Sequence, residues 1–172
     1  MQRRPLHMVM VRGALPALFG HCVDGAKTRV TITTAEDSQR RIVWQVGGQL
    51  AEDGVEMNDR ELIQRAANEL RMVLPDQDFS GAEWATYRVD RAEPKTATGL
   101  RPSGASARRE GNVITAWPTK LALIPELAKL AMELVGSPSV GGSIDTRTVA
   151  DWPRPDIAQP PWETDRTWVT TT

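Results

Sequence analysis

Arg29–Gly48 reads R-V-T-I-T-T-A-E-D-S-Q-R-R-I-V-W-Q-V-G-G. Arg29–Thr34 alternates and is β-branched, which predicts a strand with one covered face. Ser38–Arg41 is a polar turn, Ile42–Val46 is a second apolar strand, and Gly47-Gly48 closes it. Two such strands on a short polar link predict an antiparallel hairpin. Working outward, His7–Arg12 (H-M-V-M-V-R) is a further strand, and Gly13–Gly25 reads as a connecting loop. Trp84–Asp90 and Asn112–Trp117 are strands by composition, with the polar stretch Arg91–Glu110 between them read mostly as loop.

Two helices complete the pattern. In Asn58–Leu74, the residues Leu62, Ile63, Ala66, Ala67, Leu70, Val73 and Leu74 share one face. Asn58 and Glu61 have the spacing of a capping box, Met57 and Leu62 that of a hydrophobic staple, and Pro75 stops the helix. In Leu121–Val135 the face is Leu123, Leu127, Leu130, Ala131 and Leu134, with Gly136 as the stop. Pro125 suits the first residue of the regular helix, with Thr119–Ile124 as a tight turn before it. Strands, helix, strands, helix predicts an α+β domain, mainly antiparallel sheet with helices packed on one face. We place that domain at residues 1–136 and a C-terminal tail at 137–172. The tail holds five prolines and Trp152, Trp162 and Trp168 without a sustained period. It is expected to be extended or disordered unless its tryptophans dock on a surface.

Composition narrows the function classes. The chain has 172 residues, 40% hydrophobic and 25% charged, which suits a globular domain with its own core. A net charge of −1 gives no reason to expect nucleic acid or an anionic membrane as partner. A single cysteine, Cys22, excludes an internal disulfide and a Cys-rich zinc site. No apolar run approaches the ~20 residues of a membrane helix. The brief apolar run after Met-Gln-Arg-Arg-Pro reads as a strand rather than a signal peptide, so a cytoplasmic location is expected.

Few residues suggest chemistry. His21-Cys22 is not joined by a second ligand pair, so no metal site is expected. Asp53, Asp90 and Glu93 read as surface charge, and neither Gly47-Gly48 nor Gly141-Gly142 forms a G-x-G-x-x-G loop. Arg101, held extended by Pro102, is able to clamp a carboxylate or phosphate. The segment Gly111–Glu126 (G-N-V-I-T-A-W-P-T-K-L-A-L-I-P-E) is the most suggestive. A strand runs into a Pro-Thr-Lys turn that opens a helix, so Lys120 and helix N–H groups are aimed at one point. Such a corner favours negative charge.

The pattern resembles flavin-dependent glycerol-3-phosphate dehydrogenases, within the D-amino-acid-oxidase-like superfamily. Those enzymes carry a strand followed by G-G-K-L-T-T-Y-R-x-L-A. Here Trp117–Ala128 is W-P-T-K-L-A-L-I-P-E-L-A, with Lys120, Leu121, Leu127 and Ala128 in register. Pro118 and Thr119 replace the two glycines, Ala122-Leu123 the two threonines, and Pro125 an arginine. Gly99–Ser103 (G-L-R-P-S) is similar to a G-x-R-P-L element, Pro5–Val9 (P-L-H-M-V) to a G-S-H-I-V-V strand, and Ile42–Gly48 to the strand before an I-G-T-T-D turn. The likeness covers roughly residues 1–136, and the motif order is preserved.

The resemblance implies a substrate-binding and flavin-capping domain of an FAD-dependent oxidoreductase, which oxidises a small molecule by hydride transfer. It implies that Trp117, Pro118, Thr119, Lys120 and Leu121 face the flavin. Arg101 would clamp the substrate's anionic group, and His7 would accept a proton. The family's G-x-G-x-x-G FAD-binding domain is not matched in this chain. A fragment or split partner is therefore expected, inactive alone, with a separate FAD-binding domain or a second copy as its partner. The alternative is a non-enzymatic α+β binding or assembly module derived from that fold.

Overall fold

In the computed structural model, residues 1–100, 102–117, 120–137 and 152–171 are described. The elements are β1 (Gln2–Arg12), β2 (Gly20–Asp24), β3 (Lys27–Glu36), β4 (Ile42–Gly47), α1 (Gln49–Asp53), α2 (Asp59–Val73), β5 (Glu83–Glu93), β6 (Ser106–Glu110), β7 (Val113–Trp117), α3 (Ile124–Val135) and β8 (Val169–Thr170). Short 3₁₀ turns at Gly54–Glu56 and Leu121–Leu123 lead towards α2 and into α3. The fold is α+β, as expected. The chain divides into two compact units. The larger is Pro5–Arg91 with the segment from Ala158 onward, and the smaller is Met1–Arg4 with Ala92–Ile157.

The larger unit is built on a sheet of order β2-β3-β4-β1-β5-β8. The pairs β1·β4, β2·β3, β3·β4 and β5·β8 are all antiparallel. The predicted hairpin is β3–β4, with Ile32 opposite Val46 and Glu36 opposite Ile42. Its turn is locked by the buried Asp37. One carboxylate oxygen accepts from the Gln39 and Arg41 N–H groups at 3.0 and 2.8 Å, and the other from Arg41 Nε at 2.7 Å.

Alternation divides the strand residues between two layers. Val9 and Val11, Val30 and Ile32, Trp44 and Val46, and Trp84 point to one side. There they pack on Leu62, Ile63, Ala66, Ala67 and Leu70 of α2, with Leu50 of α1 and Phe79. The capping box of α2 is complete. Asn58 Oδ1 accepts from Glu61 N at 3.0 Å, and Glu61 Oε2 accepts from Asn58 N at 3.1 Å. Helices therefore cover one face, as predicted.

Met10, Val43 and Ala85 point the other way, and Trp162 and Trp168 of the C-terminal segment pack on them with Tyr87. Arg12 lies 4.0 Å over the Trp168 ring and also grips the Glu83 carboxylate at 2.8 and 3.2 Å. Glu163 takes the Ser38 hydroxyl at 2.9 Å, and Arg166 donates to the Thr86 carbonyl at 2.9 Å. Val169 and Thr170 then pair with Trp84 and Glu83. The tail's docking condition is thus met at Trp162 and Trp168, whereas Trp152 is exposed.

The smaller unit holds the β6–β7 hairpin and α3. Leu123, Leu127, Leu130, Ala131 and Leu134 are its half-buried residues, which is the face predicted from spacing. The helix starts at Ile124 with Pro125 in its first turn.

Besides the two-residue β8, two strands depart from expectation. β2 lies where a loop was read, and β6 lies within a stretch read mostly as loop. In both cases a two-residue turn folds the segment onto the next strand. Asp24 pairs with Lys27 around Gly25-Ala26, and Glu110 with Val113 around Gly111-Asn112. Gly25 and Gly111 adopt φ +59 and +60, values that side chains disfavour.

Candidate functional site

Of the strand–turn–helix corner, the described residues include the end of β7 and the stretch from Lys120 into α3. Trp117 ends β7, half-buried and paired with Ser106. Pro118 and Thr119 lie outside the described residues. Lys120 is extended (φ −142, ψ 145) and exposed, and its carbonyl accepts from Leu123 N at 3.0 Å. Its ammonium has no ion-pair partner among the described residues. Leu121 is exposed.

The helix start carries no side-chain cap at Lys120 or Leu123, in contrast to the doubly capped α2. The first N–H groups of a helix have no partner within it, and without a cap they keep their capacity to bind an acceptor. An exposed ammonium beside them adds to the field. The corner can therefore hold an anion or the electron-rich edge of a planar ring. An FAD pyrimidine edge fits this donor set.

Arg101 lies outside the described residues. The loop before it is tied to β1 by Gln2, whose amide nitrogen donates to the Gly99 and Leu100 carbonyls at 3.2 and 3.1 Å and whose oxygen accepts from Thr96 N at 3.2 Å.

His7 is buried. The two-residue period of β1 puts it on the same side as Val9 and Val11, beneath the start of α2. Its Nδ1 lies 3.1 Å from the Gly54 carbonyl, to which it donates. Its Nε2 is 3.2 Å from Asp59 Oδ1, close but not aligned as a hydrogen bond. Glycine at 54 also lets Leu62 pack close against the backbone, because a Cβ there would meet Leu62 Cδ1 at 2.6 Å.

A groove of about 510 Å³ lies against the same helix start, its polar lining made of Asp59, Arg60, Gln64, Thr86, Thr167, Thr170 and Thr171. Its lining carries a carboxylate, a guanidinium, an amide and hydroxyls, which suits a small polar molecule. Sequence reading gave no sign of it, since three of its threonines come from the tail. His21 and Cys22 sit on β2 as neighbours, so they point to opposite faces, and among the described residues no cluster suited to a metal ion occurs. No helix among the described residues is long and apolar enough to cross a membrane.

Comparison with known proteins gives one clear direction. No family model matches the chain. It is 43% identical over 166 residues to a probable FAD-dependent oxidoreductase of Pseudomonas aeruginosa, a match covering 95% of this chain and 42% of the relative. The crystal structure of the FAD-dependent oxidoreductase from Pseudomonas aeruginosa matches with a TM-score of 0.73 at 43% identity, over 94% of this chain and 45% of that one. The chain thus spans less than half the length of the oxidoreductase it resembles, and across that span it shares both fold and sequence with it.

Proposed function

We propose that the chain is the substrate-binding and flavin-capping part of an FAD-dependent oxidoreductase that oxidises a small molecule. The carrying observation is the 43% identity to such an enzyme along 95% of this chain. The ordered motifs at Pro5–Val9, Ile42–Gly48, Gly99–Ser103 and Trp117–Ala128 support a place in the D-amino-acid-oxidase-like superfamily, on the glycerol-3-phosphate dehydrogenase-like branch.

When bound, FAD supplies the hydride-accepting ring, whose pyrimidine edge gains negative charge on reduction. Lys120 and the uncapped start leading into α3 stabilise that charge, and Trp117, Pro118, Thr119 and Leu121 flank it. Arg101 orients the substrate through its anionic group. For His7 we propose the task of seating β1 against the Gly54–Asp59 junction.

The test is a chimera in which this chain replaces its matched segment of the Pseudomonas enzyme. The chimera should retain FAD through gel filtration. Lys120→Ala should weaken FAD binding about fivefold, the equivalent of ~1 kcal/mol from one cation at a helix start. It should also lower the flavin midpoint potential. A folded but colourless chimera refutes the proposal; an unchanged potential in Lys120→Ala refutes the role of the lysine.

A further inference from the structure

The groove against the start of α2 holds more polar groups than the fold uses. It is made wholly of residues of the larger unit, with α2 on one wall and β5 and the C-terminal segment on the other. The two-residue period of β5 puts Thr86 on the side of Trp84, facing α2. Thr86 is only 8% exposed. Its carbonyl accepts from Arg166, but its hydroxyl has no hydrogen-bond partner among the described residues. The same holds for the hydroxyls of Thr167, Thr170 and Thr171, and Thr171 Oγ1 is shut from solvent as well. A buried hydroxyl without a partner is a cost to the fold, which a ligand with matching groups offsets. Charge is kept to the rim. Arg60 and Gln64 are exposed, as is the Asp59 side chain at 75%. The well-buried lining residues, Thr86 and Ile63, are uncharged.

We propose that this groove binds a neutral polyhydroxylated molecule, a sugar or a sugar alcohol. The unspent hydroxyls select that class. A threonine hydroxyl both donates and accepts, and so does each hydroxyl of a sugar, so the two sets pair in either sense. A charged ligand would instead set its charge against an uncharged floor and lose its hydration there. Asp59 and Arg60 are neighbours of opposite sign, so their fields largely cancel and the rim favours neither charge. They still serve a neutral ligand. The guanidinium, unpaired among the described residues, donates, and the carboxylate, backed by His7 Nε2 at 3.2 Å, accepts. Ile63 and Val169 offer apolar contact to the C–H faces of a sugar ring. The volume of about 510 Å³ suits such a guest, since small-molecule sites span roughly 300–1,000 Å³. A ligand seated there would join the C-terminal segment to α2. The site stands independently of the flavin reading.

The test titrates the isotope-labelled 172-residue chain with D-glucose, maltose and sorbitol, and with glycine and sodium acetate as charged probes. We expect saturable NMR shifts at Thr86, Thr167 and Thr171 from at least one neutral probe. Thr86→Val keeps the shape and removes an unpaired hydroxyl, so the variant should fold as stably as the parent. Its affinity for that probe should fall about fivefold, as for one lost hydrogen bond. Should Thr86→Val fail to fold, Arg60→Ala and Thr167→Ala at exposed positions decide the matter: weaker binding in either supports the site, and unchanged binding in both overturns it. No saturable shift with any neutral probe overturns the proposal. Saturable shifts from glycine or acetate alone do so too, and assign the groove to a charged ligand. Equal shifts in the parent and in a folded Thr86→Val reduce the response to a solvent effect of the sugar and overturn the site.

Discussion

Trp168→Ala tests whether the C-terminal segment is a structural part of the sheet. Trp168 is half-buried against Met10, Val43 and Ala85, with the Arg12 guanidinium 4.0 Å above its ring. Truncating a fully buried tryptophan costs about 3–5 kcal/mol, so a half-buried one should cost about 2. The lost cation–π contact adds about 0.5–1 kcal/mol. Arg12 keeps its Glu83 partner, so no buried charge is stranded. The total, about 2–3 kcal/mol, corresponds to a fall in Tm of roughly 5–10 °C for a chain of this size. Melting is followed by circular dichroism, and trypsin reports on the segment through Arg166. Trp168→Phe should recover much of the loss, because it restores the packing but offers a weaker π face. A Trp168→Ala protein that melts within about 1 °C of the parent, with unchanged cleavage, would show that the segment only lies on the sheet.

His7→Ala removes a buried ring and its bond to the Gly54 carbonyl, so unfolding in denaturant should show a loss of about 2–4 kcal/mol; a variant as stable as the parent refutes the seating role. Burial pushes the Asp37 carboxyl up, but donation from the Arg41 N–H and guanidinium, the Arg41 charge and the Gln39 N–H outweigh it and hold it below the usual carboxylate range. The folded value therefore lies below the unfolded one, so its stabilisation is complete above about pH 4 and is lost as pH falls through the folded value. Asp37→Asn should melt with a flatter pH dependence below pH ~4, and a profile parallel to the parent's would refute this.

What could be read in advance follows the physics of each signal. α2 announced itself three times over, through its apolar period, the Asn58–Glu61 cap and Pro75. β3 and β4 were legible because alternation and β-branching coincide. β6, S-A-R-R-E, carries almost no apolar signal, and only the Gly-Asn turn after it marked a hairpin. β2 was marked in the same way by Asp-Gly. β8 has two residues, too few for any period. β7 and α3 were legible separately, from apolar composition in the one and helical spacing in the other. The burial of His7 was legible in its parity with Val9 and Val11 on β1. The groove beside α2 depends on residues more than a hundred positions apart, a pairing no local pattern encodes.

The clasp of Trp162 and Trp168 has a kinetic consequence. β8 meets β5 only after the chain has travelled from Trp84 to Val169. Closing so long a loop is slow, because its entropy is lost before any contact is gained. During synthesis, β1, β3, β4 and α2 can assemble while Met10, Val43 and Ala85 are still bare. A nascent chain that pauses before residue 162 presents that apolar surface to its neighbours, a hazard for aggregation. The stretch that closes the sheet is thus made well after the strands it covers, and the vulnerable interval in this protein's life is the delay before it arrives.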